Sequence, residues 1–295
     1  MLKMATLRNL HHSIKSKISI QQFKRQLSVT VYCHQEFLRT SIKDDEKGIR
    51  RITLDDTKKR NALSLAMLDE LKQRLQDANM NESVKVVVLC HTGSVFSAGH
   101  DLKELLDETG SKFHSQIFNR CTEVMNLVQD IDVPVIAEVR GVATAAGCQL
   151  VATCDLAICS DTSKFAVPGV LIGLFCSTPA VALARAVNRK QALKMLLTGD
   201  PINAKEALDC GLVNKTVPIE DVEKTTQELA ERITRHSSRV IGLGKKTFYQ
   251  QIKENRDEAY CITGNVMVDN LTYQDAQEGI RAFFEKRQPV WQNTK

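Results

Sequence analysis

The chain has 295 residues, of which 43% are hydrophobic and 25% are charged. This composition is typical of a soluble globular protein whose core is large enough to fold without disulfides. The formal net charge is +5, and residues 1–35 contain six Lys or Arg and no acidic residue. Subtracting those six charges leaves −1 for the rest of the chain, which argues against a nucleic-acid-binding protein.

The N-terminal segment, residues 1–40, has the composition of a mitochondrial transit peptide. It is basic, contains serines and has its apolar residues interspersed among polar ones. It lacks the continuous apolar run of a secretory signal peptide. We therefore expect a presequence here and a location in the mitochondrial matrix. A disordered basic tail of a cytosolic protein is the alternative.

Two other features argue against particular classes of protein. The nine cysteines include no Cys-x-x-Cys pair, so neither a metal site nor a redox dithiol is predicted. Residues 165–184 contain no charge and reach the length of a membrane span. Pro168, Gly173 and Pro179 interrupt that stretch, so we predict a buried loop followed by a helix and no transmembrane segment.

Strands and helices alternate along the chain after the presequence. The pattern predicts an α/β fold with a parallel sheet and right-handed crossovers, followed by a mainly helical region. Strands are predicted over residues 49–54, 84–89, 134–139, 155–159 and 212–217. Helices are predicted after Ser64, after residue 101, over 113–131, 178–187 and 190–197, after Asn203, and as three or four helices over 220–286.

Residues 141–150 form a run of small residues between two predicted strands. Small residues at a strand-to-helix turn let a ligand approach the backbone. The first N–H groups of the helix are also free to bind an anion or a carbonyl oxygen. A tightly packed helix start without a ligand is the alternative.

Blocks of residues in a fixed order resemble the crotonase (enoyl-CoA hydratase/isomerase) superfamily. The ordered set is far more specific than any single block, and it extends over residues 48–287. The blocks are residues 61–63, 96–103, 141–155, 164–173, 197–213 and 278–287.

The resemblance implies a crotonase-like spiral of ββα units over residues 41–219. A helical C-terminal region, residues 220–295, would then form a homotrimer or a hexamer. The resemblance also implies a coenzyme A thioester as ligand or substrate, with no other cofactor, and a role in fatty acid or lipid metabolism. In this family two backbone N–H groups hold the thioester carbonyl, and by position these belong to His100 and Ala146.

The contacts to CoA carry over in the same way from the matching blocks. From the residue type alone, an exposed lysine is more often solvated than bound to a ligand, and this alternative stays open for Lys58 and Lys286. The resemblance places Phe283 and Lys286 against the nucleotide of a neighbouring subunit. The positions implied to contact CoA are Lys58, Ala62, Ala98, Lys103, Phe283 and Lys286.

The chain departs from a hydratase at the two positions where the family carries catalytic glutamates. Gln149 stands at the first and Gly169 at the second. A glutamine can hydrogen-bond a water molecule but cannot take its proton, and glycine has no side chain. Because losing a general acid or base typically costs about 10²–10⁴-fold in rate, we expect acyl-CoA binding with little or no hydratase activity.

Two alternatives remain open from the sequence. The chain could be an enzyme with different acyl-CoA chemistry, such as an isomerase, thioesterase or decarboxylase, using His100 or Glu104. Otherwise it is a pseudoenzyme that no longer binds CoA. A purely structural His100 side chain, packed or bonded to Asp101, is the simpler expectation, and a nucleophilic Cys148 or Cys176 has no identifiable partner base.

Overall fold

The structure is a computed structural model that describes residues 38–293. The predicted presequence lies outside the described residues except for its last three positions. The described residues form ten strands in two sheets and ten α-helices, which confirms the α/β class. None of these helices is both long enough and apolar enough to cross a bilayer.

The strands are β1 (Thr40–Asp44), β2 (Ile49–Leu54), β3 (Val86–His91), β4 (Val95–Ser97), β5 (Val135–Val139), β6 (Val142–Thr144), β7 (Leu156–Ser160), β8 (Lys164–Ala166), β9 (Ile202–Asn203) and β10 (Lys215–Val217). The helices are α1 (Leu65–Met80), α2 (Ser111–Asp130), α3 (Ala146–Thr153), α4 (Ser177–Ala186), α5 (Arg189–Thr198), α6 (Ala204–Asp209), α7 (Val222–Thr234), α8 (Ser238–Gln251), α9 (Arg256–Asn270) and α10 (Gln274–Glu285).

The larger sheet has the order β1-β2-β3-β5-β7-β10 and is parallel except at its β1 edge. Every residue of β3 and β5 is buried, which explains why both sequences are mainly apolar. One core cluster packs α1, α2 and α3 on this sheet, while a second includes Ala230 of α7 together with other faces of the same strands.

Two predicted elements differ from the structure, and five strands were not predicted. The strand predicted at 212–217 is shorter because the amides of Leu212 and Val213 bond back to Ala207 O and close the turn after α6. The segment after residue 101 forms two short 3₁₀ helices, residues 102–105 and 107–109, instead of an α-helix. The edge strand β1 and the four short strands of the smaller sheet, β4, β6, β8 and β9, were not predicted.

A second, smaller sheet positions the functional region. It has the order β4-β6-β8-β9, and its first three strands run parallel. Ser97 pairs with Ala143, and Thr144 pairs with Ala166, so the carboxyl ends of β4, β6 and β8 are nearly level. Ligands of open α/β sheets bind at the carboxyl ends of parallel strands, and the loops that follow these three strands carry the predicted site residues.

Helix α8 is anchored to the large sheet by a buried ion pair. Lys245 Nζ lies 2.7 Å from Asp155 Oδ2 and also donates to the carbonyl oxygens of Val128 and Val133. The hydroxyl of Tyr249 donates to Asp155 Oδ1 at 2.9 Å. Burial lowers the pKa of Lys245, and Asp155 opposes that shift, so the pair depends on both charges being present.

Replacing Asp155 therefore tests this anchor. Asp155→Ala leaves a buried ammonium group without its counter-charge and should lower the free energy of unfolding by about 3–5 kcal/mol in urea titrations. Asp209→Ala removes one partner of the exposed Lys205–Asp209 pair and should lower it by less than about 1 kcal/mol. Equal losses in the two variants would contradict this account of α8.

Candidate functional site

The site is built where the loops after β4 and β6 touch. Gly99 has a φ of +86°, and a Cβ placed there would lie 2.7 Å from the Cβ of Ala145. It would also lie 3.2 Å from the amide nitrogen of Ala146. Only glycine combines this backbone conformation with so close an approach, so Gly99 is what allows the two loops to meet.

Ala145 holds a conformation that L-residues rarely adopt, with φ 49° and ψ −121°. Two hydrogen bonds keep it there: its amide donates to Ala166 O at 2.9 Å, and its carbonyl accepts from the amide of Gln149 at 3.0 Å. Such backbone strain costs on the order of 1–3 kcal/mol and is concentrated at functional sites. Here it places the next amide, that of Ala146, at the start of α3.

Within the described residues, neither the amide of His100 nor that of Ala146 has a hydrogen-bond acceptor. Ala146 is the first residue of α3, where the helix itself supplies no acceptor. The helix dipole also favours negative charge at this end. Each of the two loops that meet at Gly99 thus presents one unpaired N–H donor. Two such donors are what stabilises a ligand carbonyl oxygen that gains negative charge.

These donors border a cavity of about 580 Å³. Four of the predicted site residues line it: Ala98, His100, Ala146 and Gly169. The rest of the wall is mainly apolar, as an acyl chain would require. Its other lining residues are Leu102, Leu105, Phe118, Ala145, Pro168, Leu171, Ile172, Leu174, Phe175, Cys176, Ser177, Thr178 and Pro179.

Most of this wall comes from the uncharged stretch for which the sequence predicted a buried loop followed by a helix. The loop is not buried, since Leu171 and Ile172 are more than half exposed beside the cavity. Ten of the seventeen lining residues lie between positions 165 and 184. An uncharged stretch of twenty residues could therefore have indicated an apolar cavity wall. Phe118 of α2 gave no such signal, because its place in the wall depends on how α2 packs.

The His100 side chain is packed, which is one of the two arrangements expected for a structural role. Its Nδ1 lies 3.1 Å from Leu63 O. Its ring packs edge-to-face with Phe118, and the two ring centroids are 5.2 Å apart. The expected bond to Asp101 is wrong, because Asp101 pairs with Lys59 and accepts from the amide of Lys103 as a helix cap. Burial lowers the pKa of His100, so the imidazole is neutral at physiological pH.

The two positions at which the resemblance implies a glutamate, Gln149 and Gly169, have different surroundings. Gln149 is buried in α3, and its Oε1 has no hydrogen-bond partner within residues 38–293. At Gly169 a Cβ would lie 2.7 Å from Leu174 O and 2.8 Å from Cys176 Sγ. The space for a side chain at position 169 is thus already occupied by the following turn.

Two of the three other candidate residues, Glu104 and Cys148, do not line the cavity, and the third, Cys176, does. Glu104 accepts a hydrogen bond from the amide of Leu65 at 2.8 Å, so it caps α1 instead of facing the acyl group. Cys148 is buried, and burial raises the pKa of its thiol to about 12. Cys176 does line the cavity, but burial raises its pKa as well, which disfavours a thiolate nucleophile.

The positions implied to contact CoA fall into two groups. The amide of Ala98 donates to Arg60 O, and the Lys59–Asp101 ion pair joins the loops that carry the exposed Lys58 and Lys103. Ala62 is buried beside them. Phe283 and Lys286 are exposed at the end of α10 and do not line the cavity.

Comparison with known proteins decides the family. A sequence model described as enoyl-CoA hydratase/isomerase matches residues 44–294. The chain belongs to that family. The resemblance that the ordered blocks indicated is therefore confirmed. No group of three His, Cys, Asp or Glu that could hold a metal ion occurs in the described part of this family member.

Individual relatives are similar over nearly the whole chain. Enoyl-CoA hydratase domain-containing protein 3, mitochondrial, from Homo sapiens is 54% identical over 245 residues, which is 83% of this chain and 80% of the relative. The crystal structure of the human protein of that name has a TM-score of 0.84 at 52% identity, covering 86% of this chain and all of that one. An enoyl-CoA hydratase from Mycobacterium smegmatis has a TM-score of 0.84 at 42% identity, covering 86% of this chain and 99% of that one. This likeness confirms the crotonase fold.

The contact at Gly99 can be tested against a glycine with a similar φ but no neighbour. Gly110 has a φ of +82°, and a Cβ there would meet nothing within 4 Å. Gly110→Ala thus introduces backbone strain alone, whereas Gly99→Ala also forces the two loops apart. We expect Gly99→Ala to lower the free energy of unfolding by about 1–3 kcal/mol more than Gly110→Ala. Similar losses in urea unfolding would contradict the proposed contact.

Proposed function

We infer that the protein is a mitochondrial acyl-CoA-binding member of the family with little or no classical enoyl-CoA hydratase activity. The observation that carries this inference is the pair of unpaired amides, His100 and Ala146, at the border of a mainly apolar cavity. The amides suit a thioester carbonyl, and the cavity suits its acyl chain. Its role would lie in fatty acid or lipid metabolism.

The absence of hydration follows from the two former acid–base positions. Hydration requires one group to take a proton from water and another to deliver one to the substrate. Gln149 supplies neither a base nor an acid, and Leu174 O and Cys176 Sγ fill the space that a side chain at Gly169 would need. The donors for binding are backbone groups, so binding does not require either lost carboxylate.

The remaining CoA contacts and the location complete the proposal. Lys58 and Lys103, on neighbouring exposed loops, suit the phosphates of CoA, while Phe283 and Lys286 would reach a nucleotide bound to a neighbouring subunit. A location in the mitochondrial matrix is supported by the composition of residues 1–40 and by relatives whose names include "mitochondrial".

Binding and turnover together test this function. By isothermal titration calorimetry, butyryl-CoA should bind the full chain. Crotonyl-CoA should be hydrated at least about 10⁴-fold more slowly than by a hydratase with both glutamates. The double variant Gln149→Glu/Gly169→Glu should not recover that rate, because a side chain at position 169 collides with the backbone of Leu174.

Substitution of one donor provides the matched control. Ala146→Pro removes an N–H at the first position of α3 and should weaken butyryl-CoA binding at least tenfold. Because proline also restricts the backbone of Ala145, the variant's circular dichroism must match that of the unaltered chain. Arg256→Pro removes the corresponding N–H at the start of α9, outside the cavity, and should leave binding unchanged. Absence of binding to the unaltered chain would favour a pseudoenzyme, and isomerase, thioesterase or decarboxylase turnover would favour an active enzyme.

Self-association is supported by the C-terminal helices. Helix α9 has no buried residue, and Met267 and Val268 are more than 60% exposed on it. Phe284 of α10 is 77% exposed. Leaving so much apolar surface in water is unfavourable, and we propose that it forms the contacts of a homotrimer or of a hexamer built from two trimers.

Light scattering during size-exclusion chromatography tests the assembly. The unaltered chain should have the mass of a trimer or hexamer, and Val268→Glu should shift it towards monomer by placing a charge in the contact. Gln76→Glu adds the same charge to an exposed position of α1 and should leave the mass unchanged. A monomer at micromolar concentration would contradict the proposed association.

A further inference from the structure

A stretch of the chain beside the cavity carries no acidic residue. Between Asp161 and Asp200 lie 38 residues without Asp or Glu, whereas the 295-residue chain contains 35 acidic residues in all. Positive charge is therefore not balanced locally in this stretch. Its five basic residues are Lys164, Arg185, Arg189, Lys190 and Lys194.

Apolar side chains are exposed along the same stretch. Six of them are between 41% and 69% exposed: Leu171, Ile172, Leu174, Phe175, Leu193 and Leu197. The first two belong to a 3₁₀ helix, residues 168–172, and the last two belong to α5. We call these six residues, together with Arg189, Lys190 and Lys194, the apolar–basic surface.

The two elements that carry most of this surface are packed together. Helix α5 packs on the 3₁₀ helix, and a Cβ placed at Gly199, directly after α5, would lie 3.0 Å from Leu171 Cγ. The buried face of α5 consists of Ala192, Met195 and Leu196, so the basic and apolar members of the surface lie on its exposed face. The surface is therefore continuous from α5 to the 3₁₀ helix.

The positive charges of this surface are available to an anionic partner. Arg189 and Lys190 form no ion pair within residues 38–293, and Lys194 Nζ is 3.8 Å from Glu206 Oε1. Helices α9 and α10 also expose apolar residues, but each contains three acidic residues and one basic residue. An anionic surface would thus be attracted to the apolar–basic surface and repelled by the C-terminal helices.

Part of the apolar–basic surface also forms the wall of the cavity. Leu171, Ile172, Leu174 and Phe175 line the cavity and are at least half exposed. These residues therefore border its opening, where an acyl chain would enter or leave. Exposed apolar side chains beside basic ones are what peripheral proteins use to bind anionic lipids.

We propose that the apolar–basic surface docks on an anionic lipid bilayer, with its apolar side chains among the lipid chains and its basic side chains against the phosphates. A long acyl chain could then pass between bilayer and cavity without crossing water, where hydrocarbon is unfavourable. This passage rests on the acyl-CoA binding proposed above, whereas the docking itself does not.

Flotation of the full chain with vesicles tests the docking. The probes are vesicles of phosphatidylcholine alone and vesicles in which about one-third of the lipid is phosphatidylglycerol. The chain should bind the anionic vesicles at least about tenfold more tightly, and about 0.5 M salt should weaken that binding. Residues 1–35 are also basic and would attract the same vesicles, so every variant keeps them.

A double variant and its control separate the basic residues of this surface from the rest of the chain. Lys190→Glu/Lys194→Glu should weaken binding to the anionic vesicles at least about tenfold, because it places negative charges against the lipid phosphates. Lys43→Glu/Lys224→Glu makes the same change of net charge at exposed positions of β1 and α7. It should weaken binding by less than about threefold, because salt screens charges that do not touch the bilayer.

The apolar side chains have a matched pair of variants as well. Leu197→Glu changes an exposed leucine that does not line the cavity, and it should weaken vesicle binding at least about tenfold. Met80→Glu makes the same kind of change at the end of α1, where the side chain is also exposed, and should leave binding unchanged. Circular dichroism of each variant checks that it is folded.

The other possible results overturn the docking. Equal losses in the two double variants would mean that overall charge or residues 1–35 attract the vesicles. A lower mass of Leu197→Glu in size-exclusion chromatography would assign the surface to contacts between copies of this chain. Absence of vesicle binding by the unaltered chain would leave an acidic protein as the partner.

Calorimetry with butyryl-CoA on the same preparations separates this proposal from the proposed function. If butyryl-CoA binds and the vesicles do not, the docking is overturned while acyl-CoA binding stands. If the vesicles bind as expected and butyryl-CoA does not, the docking stands without the passage of an acyl chain. If neither binds, both proposals fail.

Discussion

The contact between Gly99 and Ala145 is the constraint on which the site depends. It brings together two loops that leave separate strands of the small sheet, and each loop then presents one amide to the same cavity. The contact requires a residue without a side chain on one loop and a strained alanine on the other. The sequence meets the first requirement with Gly99. The second is met because β6 and β8 end at nearly the same level, which supplies Ala166 O as the acceptor that holds Ala145.

This arrangement separates binding from acid–base chemistry. The donors are backbone groups fixed by the fold, so they survive changes of side chain at other positions. Hydration would depend on carboxylates, and here one position holds an amide while the other is closed by the turn through Leu174. At position 169 the space for a side chain is filled by the backbone of the following turn. A glutamate there would require that turn to move. The constraint at position 169 therefore lies in the backbone of the turn as well as in the identity of the side chain.

The accuracy of the sequence-based predictions follows from how each element is stabilised. Strands β3 and β5 are buried on both faces, and their mainly apolar sequences made them predictable. Strand β3 begins two residues later than predicted. Strands β4, β6 and β8 have three residues each, too few for a periodic pattern. They exist because neighbouring strands bind them, and for this reason the sheet that builds the site was missed while its loops were recognised.

The amino-acid sequence by itself determined the family, the class of ligand expected of it, and the presence of Gln149 and Gly169 where a hydratase needs acids. These are questions of which residue stands at which position. Only the tertiary structure decided that Leu174 O fills the space beside Gly169, that Glu104 caps α1, and that Leu63 O fixes the protonated nitrogen of His100. Except at Gly169, the contacting residues lie 37 or more positions apart in the chain, so steric exclusion and hydrogen-bond partnership arose only when folding brought them together.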